Sequence, residues 1–391
     1  MSMKKLSKKM LAVVAAGAMT MGLAMPTFAA DPSSTQDTKN NAKEAYIKKT
    51  YNTEVNEPME FTFSATQVKT GDYIVTKDLT CTIPSIKFET SELASEAGTY
   101  TKLSDKITFG TLEEAGKYEY TVKETASNPA VTASEHEKLI MSQAEYTMDV
   151  YVVEKTGGTL EIDKILVTKT KNDKGEADST TGKVDIGNNS STNGFNFTNT
   201  YVQEAGTGTD PTNPDPTYKD NGALKVSKTI DAQDGTIDSN ATFNFTAKFE
   251  FPKGTDATTL GGVKGNGTAI TLTGDTHTFT LKHNESLKFT GLPVGTKITV
   301  TEAGAANYKA SAKVFLNGVE KTPAPAASKY NELLKAVDQE KLGQNKNTVD
   351  VTNTYNYVPT TGIIMNTLPY VLMIALCGAA LFGFVAFKRR R

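Results

Sequence analysis

Short stretches in which apolar and polar residues alternate recur along most of the chain. Residues 119–123 (Glu-Tyr-Thr-Val-Lys) and 297–301 (Lys-Ile-Thr-Val-Thr) show the two-residue period of strands that bury one face. A helical spacing of three and four residues links four apolar side chains: Tyr330, Leu333, Leu334 and Val337. The pattern therefore predicts an all-β chain with one helical segment, from Ser328 to Lys341.

The two ends of the chain carry apolar runs of a different kind. Residues 1–30 combine four lysines and no acid with an apolar stretch and the small residues Ala29 and Ala30, which is typical of a secretory signal peptide. Residues 363–387 are 25 uncharged residues, enough to cross a bilayer, and the basic residues 388–391 favour a cytoplasmic tail. The alternatives are an uncleaved anchor at the first end and a plain single-pass anchor at the second.

The pentapeptide Val-Pro-Thr-Thr-Gly at residues 358–362 stands directly before this run. Together with the apolar span and the basic tail, it resembles a Gram-positive sortase sorting signal, with Val358 in place of the usual Leu. The resemblance implies that a sortase cysteine attacks the carbonyl carbon of Thr361, leaves Gly362 and the span behind, and passes the acyl group to an amine.

Charge and cysteine content argue against nucleic-acid binding and against stabilisation by disulfides. The 391 residues carry a formal net charge of −2, but without the two ends 34 basic residues face 44 acidic ones, a charge of −10. This acidity argues against nucleic-acid binding. Cys81 and Cys377 are the only cysteines, and Cys377 lies in the apolar run, so disulfides are not expected to stabilise the chain. The sequence contains no cluster with metal-ligand spacing and no nucleophile motif. It therefore predicts neither an enzyme nor a cofactor.

A stretch without apolar residues divides the chain. Residues 206–216 contain three prolines and are typical of an exposed linker. The organisation that we predict is listed in chain order: signal peptide 1–30, first domain 31–205, linker 206–219, second domain 220–357, sorting motif 358–362, span 363–387 and tail 388–391.

The two predicted domains share a repeat. Thr-Asn-Thr-Tyr occurs at residues 198–201 and again at residues 352–355. Each domain also has an early lysine, Lys49 or its neighbour Lys48 in the first and Lys228 in the second, and a glutamate that ends an apolar strand in the middle, Glu124 or Glu302. The order Lys, Glu, Asn therefore holds in both domains.

Strand parity indicates where these polar side chains point, because residues two apart share a face. The rows are Ile47, Lys49 and Tyr51; Tyr118, Tyr120, Val122 and Glu124; Phe195, Phe197, Asn199 and Tyr201; Leu224, Val226, Lys228 and Ile230; Ile298, Val300 and Glu302; and Val349, Val351, Asn353 and Tyr355. Since these rows are otherwise apolar, we expect the six polar side chains to face the interior. The alternative for each residue alone is an ordinary surface acid or a turn asparagine.

Burial changes the chemistry of such a group. Loss of hydration lowers the pKa of a lysine and raises that of a glutamate. A neutral amine can attack the side-chain carbonyl of an asparagine, and a protonated carboxyl can polarise that carbonyl. The attack replaces the amide nitrogen of the asparagine, which leaves as ammonia. Each triad could thus form an amide between two strands.

These motifs resemble the intramolecular isopeptide domains of Gram-positive backbone pilins, the pilin isopeptide linkage family, over residues 40–391. The resemblance implies two tandem Ig-like, CnaB-like β-sandwiches with the bonds Lys49–Asn199, assisted by Glu124, and Lys228–Asn353, assisted by Glu302. It also implies a structural subunit without a cofactor, joined head to tail to identical subunits by a pilin-class sortase and to peptidoglycan by a housekeeping sortase, with tip and base pilins as further partners.

The subunit that follows would supply the acceptor lysine. In the family resembled, this lysine precedes the last strand of the first domain. Lys183 is the nearest lysine before Asn199, and Lys174 and Lys171 are alternatives. A wall-anchored monomeric adhesin is the alternative function.

Overall fold

The computed structural model describes residues 38–93, 98–233, 235–322 and 324–355. Within these ranges the regular secondary structure is nearly all β-strand, and the strands form two tandem β-sandwiches, which confirms the predicted fold class. No helix in these ranges is long and apolar enough to span a bilayer. The predicted signal peptide, sorting motif with Thr361 and Gly362, span and tail lie outside the described residues.

The first sandwich contains twelve strands. One sheet consists of β1 (Lys48–Asn52), β5 (Thr99–Leu103), β8 (Glu137–Ile140) and β12 (Asn196–Gln203), in the order β5-β1-β12-β8. The facing sheet consists of β2 (Met59–Val68), β4 (Ile86–Phe88), β7 (Gly116–Asn128), β9 (Glu145–Glu154), β10 (Leu160–Lys171) and β11 (Gly182–Val184), in the order β11-β10-β9-β7-β2-β4. The pair β3 (Cys81–Thr82) and β6 (Thr108–Phe109) and a 3-10 turn at Thr90–Glu92 complete the domain.

The second sandwich follows a short helix, α1 (Tyr218–Asn221). One sheet consists of β13 (Leu224–Asp231), β15 (Lys264–Gly265), β16 (Thr268–Ala269), β18 (Ser286–Thr290), β20 (Tyr308–Leu316), β21 (Val319–Glu320) and β23 (Thr348–Tyr355), in the order β16-β15-β18-β13-β23-β20-β21. The other consists of β14 (Phe243–Glu250), β17 (Thr276–Leu281), β19 (Lys297–Glu302) and β22 (Leu334–Lys341), in the order β17-β14-β19-β22.

The same connection between first and last strand recurs in both sandwiches. β1 pairs in parallel with β12, and β13 pairs in parallel with β23. Parallel neighbours cannot be joined by a hairpin, so the rest of each domain forms the crossover between them. The start and the end of each domain thus lie side by side in one sheet.

The helix predicted from Ser328 to Lys341 is wrong: residues 334–341 form strand β22. This strand pairs with β19 through two register shifts, on either side of Val300. A bulge places consecutive side chains on one face, and Ala336 and Val337 are both buried here. Leu333, which completed the helical pattern, is 56% exposed. The bulge thus produces an apolar spacing that resembles a helical one.

The predicted linker is exposed only in part. Residues 206–208 are buried, because the N–H groups of Gly206 and Gly208 donate to the carbonyls of Gly343 and Gln344 in the second domain at 3.1 and 2.7 Å. Small residues allow this close approach, since a Cβ on Gly206 would lie 2.3 Å from a backbone oxygen. The two domains are therefore joined by a packed segment as well as by the exposed residues 212–213 and 215–217.

A buried acid strengthens the junction between the sandwiches. Glu204 accepts hydrogen bonds from the ring of His136 at 2.6 Å and from the N–H of Gly291 in the second domain at 2.5 Å. The hydrogen bond with Glu204 raises the pKa of His136. The ring of Tyr218 packs edge-on against His136, so α1 is part of the same contact.

Candidate functional site

Each sandwich buries one lysine of its first strand. Lys49 on β1 and Lys228 on β13 are both 0% exposed, and each stands in a row of buried apolar side chains. Lys48 is on the opposite face, where its Nζ donates to the carbonyl of Ser190 at 3.3 Å. Of the two adjacent lysines, the structure therefore places Lys49 in the interior.

The last strand of each sandwich places an asparagine beside this lysine. Lys49 is in register with Phe197, and Asn199 follows two residues later on the same face. Lys228 is in register with Val351, and Asn353 follows two residues later. The two domains thus share the offset of lysine and asparagine on neighbouring parallel strands. Both asparagines are buried, at 0% and 1% exposure.

The acid of each triad comes from the opposite sheet. Glu124 on β7 is in register with Phe63 on β2, and Glu302 on β19 is in register with Phe245 on β14. The glutamate side chains are 0% and 1% exposed, so each reaches from its own sheet across the core. All six predicted polar residues therefore meet in two buried triads.

In the first triad, one carboxylate oxygen contacts both partners. Oε1 of Glu124 accepts from Nζ of Lys49 at 2.6 Å and from Nδ2 of Asn199 at 3.1 Å. Its Oε2 is buried and has no hydrogen-bond partner among the described residues. The amine and the amide nitrogen are thus held on the same oxygen atom.

The second triad repeats this geometry with small differences. Nζ of Lys228 donates to Oε1 and Oε2 of Glu302 at 3.2 and 3.0 Å. Nδ2 of Asn353 donates to Oε1 of Glu302 at 2.5 Å. Glu302 therefore also connects the amine with the amide nitrogen through one oxygen.

The surroundings of the lysines are aromatic. Nζ of Lys49 lies 4.2 Å from the ring centre of Phe61, and Nζ of Lys228 lies 4.2 Å from that of Phe243. Burial lowers the pKa of Lys49 and of Lys228 to about 8, although the neighbouring carboxylates oppose this change. Burial also raises the pKa of Glu124 and of Glu302, again against the effect of the paired lysine.

Burial therefore brings the pKa values of lysine and glutamate closer together, which makes transfer of a proton from lysine to glutamate less costly. The transfer leaves a neutral amine beside the carboxamide of the asparagine and a protonated carboxyl that can donate to that carboxamide. Amine, amide and acid are the groups required for an amide exchange that releases ammonia. No group of metal-ligating side chains occurs among the described residues.

The aromatic contacts were not part of the sequence prediction. A repeated Phe-Xaa-Phe motif could have indicated them, since residues 61–63 and residues 243–245 both have this pattern early in their domains. In each motif the first ring covers the lysine and the second is in register with the glutamate. The repeat therefore extends beyond the three polar residues.

The predicted acceptor lysine lies away from both triads. Lys183 is exposed on β11, an edge strand whose one partner among the described strands is β10. It forms no salt bridge with any residue in the described ranges, whereas Lys171 pairs with Glu145 at 3.1 Å. Lys174 is exposed in the preceding turn. The structure thus leaves Lys183 accessible at the edge of a sheet.

The buried pair predicts a specific dependence of stability on pH. We expect the Asn199→Ala variant, which keeps Lys49 and Glu124 but has no carboxamide to react, to become more stable as pH rises from about 8 to 10.5. In this window the unfolded chain, with a lysine pKa of 10.5, holds a proton that the folded chain has lost. The gain is up to about 3 kcal/mol in the free energy of unfolding.

Urea unfolding at a series of pH values measures this gain. The control is the double variant with Lys49→Met, which lacks the titrating group and should show no such rise. Equal pH profiles for the two variants would contradict the lowered pKa.

Two sequence comparisons match parts of this chain. The family model described as Domain of unknown function (DUF7601) matches residues 222–355, which comprise the second sandwich. A pilin of Streptococcus pyogenes serotype M1 is 35% identical over 105 residues, which are 27% of this chain and 29% of that pilin. The chain therefore spans less than a third of the curated relative that it matches. It is similar in sequence to a Gram-positive pilin.

Two solved structures of major pilins also match this chain. The crystal structure of the major pilin from Streptococcus pyogenes is 19% identical, with 81% of this chain and 99% of that chain covered and a TM-score of 0.32. The major pilin T-13 from the same species is 20% identical, with 81% and 98% covered and a TM-score of 0.31.

Proposed function

We propose that this chain is the structural subunit of a covalent pilus on a Gram-positive cell, stabilised by one internal amide in each sandwich and polymerised by a sortase. The observation that carries the proposal is the pair of buried triads, in which the lysine of the first strand and the asparagine of the last strand share one carboxylate oxygen. The sequence similarity to a pilin supports the same function.

The internal amide forms without an external reactant. Lys49 gives one proton to Glu124, and the free electron pair of Nζ attacks Cγ of Asn199, so that a C–N bond forms. Glu124 returns this proton to Nδ2 and takes up a second proton from Nζ. The bond between Cγ and Nδ2 then breaks, ammonia leaves, and Glu124 remains protonated. The first domain gains a Lys49–Asn199 amide, and the second gains a Lys228–Asn353 amide by the same steps through Glu302.

Such bonds suit a fibre under tension. In the second domain the chain enters at β13 and leaves at β23, and these strands are neighbours. An amide between Lys228 and Asn353 carries a pulling force directly from one strand to the other. The hydrogen bonds of the remaining strands are then not loaded, and reducing agents do not break the link.

The sorting signal supplies the link between subunits. A pilin-class sortase cleaves between Thr361 and Gly362 and transfers Thr361 to Lys183 of the next subunit, which gives a head-to-tail polymer. A housekeeping sortase joins the last subunit to peptidoglycan, and tip and base pilins complete the fibre. The mature subunit, with a charge of −10, is suited to the extracellular surface.

A gel of wall material tests this function. We expect the full chain, produced in a Gram-positive host together with a pilin-class sortase, to give a ladder of bands that survives boiling in detergent, because the subunits are joined by amides. The control variant Thr361→Ala, which alters the cleavage site, should give only the monomer. A single wall-linked band from the unaltered chain would instead indicate a monomeric surface adhesin.

A further inference from the structure

The two triads differ in how they hold the carbonyl oxygen of the asparagine. Oδ1 of Asn199 accepts a hydrogen bond from the backbone N–H of Ser142 at 2.8 Å. Oδ1 of Asn353 is buried and has no hydrogen-bond partner among the described residues. Among the described residues, the oxygen that becomes negatively charged when an amine attacks the carbonyl therefore has a hydrogen-bond donor in the first domain only.

The N–H of Ser142 is held in place by a second acid. Ser142 lies in the connection between β8 and β9, and its Oγ donates to Oδ1 of Asp173 at 2.6 Å. The same Oδ1 accepts from the N–H of Thr198, next to Asn199, at 2.8 Å. The N–H of Gln143 donates to the carbonyl of Asp173 at 3.0 Å. Asp173 thus fastens the donor segment to the strand that carries the reacting asparagine.

The position of Ser142 points to this use of its N–H. The residue is 5% exposed, and it lies outside the strands, so its N–H is not part of a sheet ladder. A backbone donor that is already aimed at the carbonyl oxygen loses no free energy to reorientation when charge develops there. Among catalytic devices, such oxyanion donors have large effects on rate.

We infer that the backbone N–H of Ser142 is an oxyanion donor for amide formation in the first domain, and that Asp173 is its positioning residue. We also infer that the second domain reacts more slowly, because its described residues provide no such donor. When Nζ of Lys49 attacks, the electron pair of the C=O bond moves to Oδ1 of Asn199. The N–H of Ser142 stabilises that charge until the pair returns and ammonia leaves. The inference rests on the proposed amide chemistry.

Refolding kinetics separate the two domains in one molecule. Residues 31–361, which contain every described residue, are prepared unreacted in denaturant and diluted into buffer, and samples are acid-quenched for mass spectrometry. Peptide mapping then assigns each loss of about 17 Da to the first or the second domain. We expect the first domain to react at least about ten-fold faster. If no mass is lost at all, the proposed function fails; if the second domain reacts as fast as the first, only the present inference fails.

Variants of Ser142 test the donor itself. Ser142→Pro removes the N–H and should slow the first domain about 100-fold, the usual effect of losing one oxyanion donor. Ser142→Ala keeps the N–H and should change the rate less than about three-fold, since the carboxylate of Asp173 still binds the N–H of Thr198 and its carbonyl still binds the N–H of Gln143. The second domain, whose rate should not change, is the internal control.

Variants of Asp173 distinguish an effect on the position of the Ser142 N–H from an effect on folding. Asp173→Ala should slow the first domain about ten-fold, and Asp173→Asn, which keeps an acceptor oxygen for Ser142 and Thr198, should restore the rate. Circular dichroism and melting against the unreacted Glu124→Ala variant establish that each variant is folded. A folded Ser142→Pro variant with an unchanged rate, or an Asp173→Ala variant as fast as the unaltered chain, would overturn the inference.

Discussion

Replacing Glu124 with alanine is expected to abolish the amide of the first domain and to lower the stability of that domain by about 4–5 kcal/mol. The amide would close a loop of 151 residues, from Lys49 to Asn199, and loops of this size have about this entropic effect on the unfolded chain. The variant also leaves the amine of Lys49 in an apolar core without its acid, which adds to the loss.

Mass and thermal unfolding measure both effects. After correction for the substitution itself, the mass of the variant should exceed that of the unaltered, cross-linked chain by about 17 Da, because one molecule of ammonia is retained. Glu124→Gln, which keeps the size of the side chain but cannot carry the proton, should behave in the same way. Glu302→Ala should do so in the second domain, where the loop has 126 residues.

A matched control lies on the same strand. Glu119 belongs to β7 but forms a partly exposed salt bridge with Lys117 at 2.7 Å. Glu119→Ala should leave the amide intact and change stability by no more than about 1 kcal/mol. If Glu124→Ala still loses ammonia, Glu124 does not assist the reaction.

Replacing Lys183 with arginine is expected to reduce the ladder of wall-linked polymers to monomer. Arginine keeps the positive charge, but its guanidinium stays protonated and cannot act as the nucleophile that accepts Thr361. Lys183 is exposed on the edge strand β11, away from both triads. Folding and the internal amides should therefore be unchanged in this variant.

Two neighbouring lysines provide the controls. Lys171→Arg and Lys174→Arg alter exposed lysines of the preceding segment and should leave the ladder intact. The measurement is a detergent gel of wall extracts from matched strains. A ladder that persists in Lys183→Arg, and disappears in one of the other two variants, would move the acceptor to that lysine.

Strand parity predicted the burial of the triads because these strands are regular. Along β12 and the residue before it, the alternation places Phe195, Phe197 and Asn199 on one inner face, and a two-residue period is enough to find this face. The repeat of Lys, Glu and Asn in the second half then distinguished six functional candidates from ordinary polar residues. The sequence could not show that lysine and asparagine lie on neighbouring strands, because pairing of the first strand with the last depends on the whole fold.

The structural features that the sequence did not predict depend on irregular strand pairing or on contacts between distant residues. The bulges in β22 imitated a helical spacing, and no pattern in the sequence of that strand shows where its register with β19 shifts. The donor Ser142 and its acceptor Asn199 are 57 residues apart, and Asp173 lies between them in a turn. Nothing in local periodicity connects these three residues. The packed segment at residues 206–208 depends on acceptors more than 130 residues away.

Peptide mapping of the mature subunit tests the central claim most directly. We predict that residues 31–361 have a mass about 34 Da below that of the linear chain, since two molecules of ammonia are lost. A protease digest should contain two branched peptides, one joining Lys49 to Asn199 and the other joining Lys228 to Asn353. An unshifted mass, with all four residues recovered in linear peptides, would contradict the account.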